Sequence, residues 1–334
     1  MKTKPIISIT MGDVNGIGPE IIGKVLTQKE ILKICFPVIL GNIQAYTYYC
    51  RNLKNYLEPV KIESPEEAIH LKNKIGIIEL EYNNLRINPG KIDPENSISA
   101  TAWIHQSVKW CMEKRCDAIV TCPITKEGLT RAGIPYDGHT TMLADWTKTK
   151  HYRMSLFAGT KRVVHHTAHK SLRNAIESLN KKDLIKTIKI GYEALKKICP
   201  QKFHIGVAGL NPHAGEKGLF GNEEVDIILP AIKFCQKKEI PCSGPYPPDT
   251  VFRRMFLGEF DMVIAMYHDQ GHIPMKLISM NEGVNVTLGL PIIRTSVDHG
   301  TAFDIAGKGI ACEQSLYHAI NLAIQFAKQK VHSV

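Results

Sequence analysis

The sequence predicts an α/β protein built on a largely parallel sheet. Three observations carry that prediction. Short apolar runs alternate with helix-like stretches along the 334 residues, which is the pattern of repeated βα units. Each run is followed at once by polar, Gly- or His-containing residues, as at the carboxyl ends of strands, where such sheets bind ligands. The composition, 44% hydrophobic and 22% charged, is that of a globular chain with a core large enough to need no staples.

The elements follow in order. Residues 5–10 form a first strand that runs into Met11-Gly12-Asp13. Pro19 opens a helix in which Ile21, Ile22, Val25 and Leu26 recur at helical spacing; proline suits the first helical position, where no N–H is needed. Residues 37–40 are a second strand, closed by Gly41-Asn42. Residues 54–94 carry little chemistry and read as peripheral structure. A third strand spans 117–121, with Cys122-Pro123 and a helix from about Lys126 after it. Residues 162–164, 203–208 and 262–265 are further apolar runs. No repeat, low-complexity stretch or linker interrupts the chain.

Composition narrows the function. The nine cysteines form no Cys-x-x-Cys pair. Cys111 and Cys116 lie in a segment that reads as helix, and Cys35, Cys122 and Cys235 have apolar or small neighbours. These read as free thiols of a reducing cytosol, not as a thiolate metal site. The first ten residues are too short an apolar run for a signal peptide. No stretch approaches the roughly 18 unbroken apolar residues of a membrane span, so the expected location is cytoplasmic, without membrane contact. The net charge of +10 raises the question of nucleic acid. However, Lys181, Lys182, Lys186, Lys189, Lys196 and Lys197 are spaced like a solvated helix face, and no aromatics interleave with them as a stacking platform. A basic surface also attracts a phosphorylated substrate.

Three apolar runs each deliver a histidine. His169 follows residues 162–164, His213 follows 203–208 and His268 follows 262–265. The separations are too wide for a compact metal motif, but three imidazoles from separate strand ends would leave open positions on an ion. Any one alone is more often an ordinary loop histidine; the three together leave a shared metal site and ordinary loop positions both open. His165, His166 and His272 are bystanders or supports of such a site. There is no His-Glu-x-x-His, no P-loop and no Gly-x-Ser-x-Gly elbow. Gly16-Ile17-Gly18-Pro19 fails as a Rossmann fingerprint at its third glycine. Arg294, in the polar stretch 285–301, can clamp a phosphate or carboxylate with two parallel hydrogen bonds, although an arginine is more often simply exposed.

Longer motifs identify a family. The chain resembles the 4-hydroxythreonine-4-phosphate dehydrogenases of pyridoxal phosphate (vitamin B6) biosynthesis nearly end to end. The likeness runs through residues 11–20 (MGDVNGIGPE), 121–126 (TCPITK), 138–140 (GHT) and 210–216 (LNPHAGE). It continues through 244–250 (GPYPPDT), 267–271 (YHDQG), 285–291 (NVTLGLP) and 294–302 (RTSVDHGTA). Residues 299–311 also look like the adenosine-binding loop of isocitrate and isopropylmalate dehydrogenases. That kinship implies a two-domain α/β/α fold that binds NAD or NADP without a Rossmann fingerprint, with the active site in the interdomain cleft at a dimer interface. The expected domains are 1–128 plus 283–334, and 129–282.

The resemblance implies a divalent metal (zinc, magnesium or cobalt) on His169, His213 and His268. It implies substrate contacts from His139, Thr140, Lys276, Asn285 and Arg294, and cofactor contacts from Asp298, His299, Gly300, Thr301 and Asp304. A homodimer can supply ligands from both chains. The implied reaction is oxidation of 4-phosphohydroxy-L-threonine to 2-amino-3-oxo-4-phosphooxybutanoate, which decarboxylates to 3-amino-2-oxopropyl phosphate. Asp249, Asp269 and Lys276 are candidates for the base, unranked. The sequence departs from the family pattern at Val14 (usually Pro), at Thr141 and Met142 (usually Glu and an aromatic), and around His169, where Ala168 and Lys170-Ser171 replace the usual neighbours. The Thr141 departure keeps open a sister dehydrogenase of a four-carbon sugar-acid phosphate. A non-catalytic phosphate-binding protein would not need the histidines, Lys276 and the adenosine-like loop together.

Overall fold

A computed structural model describes residues 4–80, 85–199, 201–279 and 282–329. The chain divides into two compact units, 1–150 with 290–334, and 151–289. The limits differ from those expected: residues 129–150 group with the first unit and 283–289 with the second.

The first unit contains β1 (Ile6–Thr10), α1 (Gly18–Leu26), α2 (Lys29–Ile34), β2 (Phe36–Leu40), α3 (Ile43–Cys50), β3 (Glu58–Lys61), β4 (Lys74–Ile78), α4 (Pro94–Met112), β5 (Ala118–Thr121), α5 (Lys126–Arg131) and α6 (His139–Trp146). The second contains β6 (Arg153–Ala158), β7 (Lys161–His165), α7 (Leu172–Glu177), α8 (Lys181–Ile198), β8 (Ile205–Ala208), α9 (Leu229–Gln236), β9 (Cys242–Tyr246), α10 (Pro248–Phe256), β10 (Met262–Ala265), α11 (His268–Ile278) and β11 (Val284–Leu288). The chain then returns to the first unit with β12 (Arg294–Val297) and α12 (Gln314–Gln329).

In the first unit the strands run in the order β3-β4-β2-β1-β5-β12, every neighbouring pair parallel. All residues of β1 and β5 are buried. Side chains alternate across a strand, so both faces of this sheet are covered, as parallel sheets require. That explains why these strands read as unbroken apolar runs. In the second unit the order is β11-β6-β7-β10-β8-β9. Here β11 and β7 flank β6 antiparallel, and the remaining neighbours are parallel. Its core joins Leu156, Val163, Phe252, Met255, Phe260 and Val263.

The expected strands at 5–10, 37–40, 117–121, 162–164, 203–208 and 262–265 are all present within a residue or two. Cys116 is a correction: the helix that holds Cys111 stops at Met112, so Cys116 lies in the turn before β5. The peripheral reading of 54–94 holds for the edge strand β3 and its neighbour β4, at the outer side of the sheet, but not for its end. Asn88 and Gly90 donate backbone N–H groups to the side-chain and main-chain oxygens of Asn15, at 2.7 and 2.8 Å.

Candidate active site

In the first unit the polar residues gather where β1 and β5 end. Gly12, at φ +70, has no room for a side chain, because a Cβ would lie 2.3 Å from the Pro123 carbonyl. The Asp13 N–H donates to that carbonyl at 2.9 Å. The turns after β1 and β5 are thereby stitched together. Arg294 opens β12 and is 3% exposed. Its Nη2 donates to Thr121 Oγ1 at 2.9 Å, at the last residue of β5. Burial lowers its guanidinium to about 9.

His139 is the first residue of α6. Burial holds its imidazole well below the usual histidine value, and the Arg294 cation beside it pushes the same way. The ring is therefore neutral at physiological pH. One ring N–H serves the Cys122 carbonyl, while Nε2 is buried with no hydrogen-bond partner among the described residues. A neutral acceptor and a buried cation side by side suit a ligand with an anionic end and a nearby donor. Thr140 and Thr141 follow on the same helix. Thr141 Oγ1 donates to Asp137 Oδ1 at 2.6 Å.

The predicted cofactor segment packs on the turn after β1. The Ile17 N–H donates to the Thr301 carbonyl at 3.0 Å, and a Cβ on Gly16 would lie 2.9 Å from that same oxygen. Glu20, 1% exposed, accepts from the Ala311 N–H at 2.8 Å and pairs with Lys24 at 2.9 Å. Lys24 also donates to the Gly309 and Ala311 carbonyls. The Asp298 N–H donates to Ser315 Oγ at 3.1 Å. His299 Nδ1 lies 3.0 Å from the Gly300 carbonyl, and Asp304 is exposed. All five predicted cofactor residues thus lie in one loop, seated by Gly16, Glu20 and Lys24. Sequence reasoning did not single out those three, although the Gly-x-Gly-Pro-Glu run was the available signal.

In the second unit a layer of histidines follows β7 and β10. The His169 and His268 rings lie 5.9 Å apart, and His268 stacks on His272 at 3.9 Å. His165 Nδ1 is 3.2 Å from the Met154 carbonyl, and His272 Nδ1 is 3.0 Å from His165 Nε2. Burial lowers His165 to about 4 and His272 to about 2, so both are neutral. A carbonyl can only accept, so His165 carries its proton on Nδ1 and its Nε2 must accept from His272. Both rings therefore have fixed tautomers. His166 turns away and bonds Thr187 Oγ1 at 2.9 Å. The supporting role thus falls to His165 and His272.

His268 Nδ1 bonds Asp269 Oδ1 at 2.6 Å, leaving Nε2 available, the orientation a carboxylate imposes on a metal-ligating histidine. Lys276 lies two turns along α11 from His268, on the same face with His272 between them. Asp249 is exposed in the first turn of α10. Asn285 lies on β11, its Oδ1 buried and without a hydrogen-bond partner among the described residues.

His169 and His213 share an unusual backbone: both are left-handed, at φ 46 and 54. For residues with a side chain that costs roughly 1–2 kcal/mol each, a strain that clusters at ligand sites. The His213 ring has Phe220 as a neighbour at 6.1 Å, whereas His169 neighbours His268. Among the described residues no group of three or more His, Cys, Asp or Glu side chains is arranged as a complete metal site. The donor chemistry nevertheless suits a divalent ion of borderline character: imidazole nitrogens, one ring oriented by a carboxylate.

Comparison with known proteins gives a consistent result. Residues 33–323 match the family described as pyridoxal phosphate biosynthetic protein PdxA. A 4-hydroxythreonine-4-phosphate dehydrogenase of Desulfosudis oleivorans is 43% identical, over 98% of this chain and 97% of its own. A D-threonate 4-phosphate dehydrogenase of Cupriavidus necator is 42% identical, over 98% of each. The crystal structure of 4-hydroxythreonine-4-phosphate dehydrogenase from Klebsiella pneumoniae superposes with a TM-score of 0.86 at 40% identity, covering 97% of this chain and 98% of that one. No described helix is long and apolar enough to cross a membrane.

Proposed function

The chain belongs to the pyridoxal phosphate biosynthetic protein PdxA family, and from that premise we propose that it oxidises 4-phosphohydroxy-L-threonine with NAD or NADP. The observation that carries the reading is the pairing of a buried cation, Arg294, with a neutral buried imidazole, His139. A substrate with a phosphate at one end and a carboxylate at the other answers the first. Its hydroxyl and amine supply donors for the second.

The reaction takes hydride from C3 to the nicotinamide and the C3 hydroxyl proton to a protein base. The product, 2-amino-3-oxo-4-phosphooxybutanoate, is a β-keto acid and loses CO2 to give 3-amino-2-oxopropyl phosphate. His169, His213 and His268 would hold a divalent ion (zinc, magnesium or cobalt), with ligands drawn from both chains of a homodimer. When bound, such an ion supplies a Lewis acid that lowers the pKa of the alcohol. Asp269 fixes the His268 tautomer, so it serves less readily as the base. That leaves Lys276 and Asp249 as the groups for proton removal. Arg294 and Thr140 position the anionic end, and Asn285 and Lys276 contact the remainder. Residues 298–304 would hold the adenosine part of the cofactor.

A second reading rests on a specific observation: similar relatives are named D-threonate 4-phosphate dehydrogenase, and Thr141 departs from the pattern expected of the first activity. That substrate carries a hydroxyl where the other carries an amine, so the same chemistry would release dihydroxyacetone phosphate. The test is direct. The protein is mixed with either substrate, NAD or NADP and a divalent metal, and the reduced cofactor is followed by absorbance. Metal-dependent reduction with the amino substrate, lost with a chelator, supports the first reading. Turnover of D-threonate 4-phosphate alone overturns it in favour of the second.

A further inference from the structure

The backbone from His213 to Lys217 is left-handed without a break, at φ 54, 53, 76, 42 and 57. Gly215 is the one glycine in the run. Side-chain sterics oppose such a turn, and it persists only where its surroundings over-determine it. The group placed to do so is Glu224, 3% exposed. Its Oε1 accepts the backbone N–H groups of Leu210 and Asn211, both at 2.7 Å. Its Oε2 accepts Asn211 Nδ2 at 2.9 Å. A Cβ on Gly215 would lie 2.6 Å from that Oε2, so the turn folds down onto the carboxylate. Asn211 is held from its other side by Glu223 Oε2 at 2.7 Å, and its carbonyl accepts the Ala214 N–H at 3.1 Å. Glu224 opens a five-residue π-turn, Glu224–Ile228; such turns are rare and frequently sit at functional sites.

We propose that Glu224 is a positioning residue for His213: its buried carboxylate holds the left-handed turn in the shape that aims the imidazole at a divalent ion. This rests on the reading of His213 as a metal ligand. A single-atom change probes it. Glu224→Gln keeps the shape of the side chain, but its amide then faces Asn211 Nδ2, donor against donor. Asn211 cannot rotate its amide to relieve this without turning its oxygen toward the Glu223 carboxylate.

The experiment titrates Co(II) into metal-stripped full-length protein by calorimetry, for the wild type, Glu224→Gln, His213→Ala and the double variant. Hydrogen exchange of the metal-free proteins runs alongside. We expect Glu224→Gln to weaken Co(II) binding roughly 10–100-fold, the range typical for groups that orient a ligand. We also expect faster exchange at the Leu210 and Asn211 amides, with far-ultraviolet circular dichroism unchanged. The double variant should bind no more weakly than His213→Ala, because Glu224 acts through that ring. Wild-type affinity in Glu224→Gln beside weakened His213→Ala overturns the positioning role alone. Additive losses in the double variant overturn it too. An unchanged His213→Ala overturns the metal reading, and this role with it. If Glu224→Gln does not fold, Asn211→Ala removes the side-chain bonds to Glu224 Oε2 and Glu223 Oε2 while leaving the Oε1 bonds to the backbone in place, and should weaken Co(II) several-fold; no change there would also count against the role.

Discussion

Replacing Arg294 by lysine keeps a positive charge on paper, yet the environment of the residue says that much of it disappears. Burial brings the Arg294 guanidinium to about 9, a fall of roughly 3.5 from its ordinary value near 12.5. The same desolvation acting on a lysine, ordinarily near 10.4, brings it to roughly 7. The cation exists below that value and is lost as pH rises through it. At pH 6 the variant loses chiefly the two-pronged geometry and the Thr121 contact, worth about 1.5–3 kcal/mol, or roughly 10–150-fold in KM. At pH 8 only about a tenth of the lysine is charged, adding roughly another tenfold. The assay is KM for the phosphorylated substrate from pH 6 to 9, read as the ratio of variant to wild type, so that the substrate's own phosphate titration cancels. A ratio that stays flat across that range, or one near unity, would refute both the burial argument and the anchoring role of Arg294.

Three further outcomes follow from the same geometry. Burial raises Asp13 to about 6 from 3.8, so the folded state favours its protonated form, and that advantage is lost as pH rises through about 6; Asp13→Asn should raise the melting temperature at pH 8, by at most about 3 kcal/mol of stability, and leave it unchanged at pH 4. Gly16→Ala places a methyl 2.9 Å from the Thr301 carbonyl, so KM for the nicotinamide cofactor should rise well above any change in KM for substrate, as steady-state kinetics would reveal. Gly18→Ala places one 2.1 Å from the Met11 carbonyl, backbone against backbone, and should lower thermal stability by about 2 kcal/mol or more.

The parts of this fold that are legible in the sequence are those governed by one-dimensional patterns. β1, β2, β5 and β10 are buried on both faces, so each reads as an apolar run closed by a turn. β9 (Cys-Ser-Gly-Pro-Tyr) and β12 (Arg-Thr-Ser-Val) are polar and short, and their pairing is decided by neighbours far away in the chain. No local rule could announce them. The same holds at the candidate site. His139 and Arg294 were reachable through their motifs, but the fixed tautomers of His165 and His272 depend on Met154, and the seat of the cofactor loop depends on Glu20 meeting Ala311 across 291 positions. Likewise Glu224 is an unremarkable acidic residue until the chain places it beneath Leu210 and Asn211.

The first unit is assembled from both ends of the chain, with the second inserted as one continuous stretch between them. On the ribosome this reverses the order of completion. The unit begun first stays unfinished, because β5 lacks its neighbour β12 until residues 294–297 have emerged. Through the synthesis of more than a hundred intervening residues, one side of β5 remains an open strand edge, the feature by which nascent sheets recruit wrong partners. The inserted unit has all its strands beforehand and can close on its own. A truncation just before β12 would therefore leave the second unit's strand set whole and the first with a bare edge.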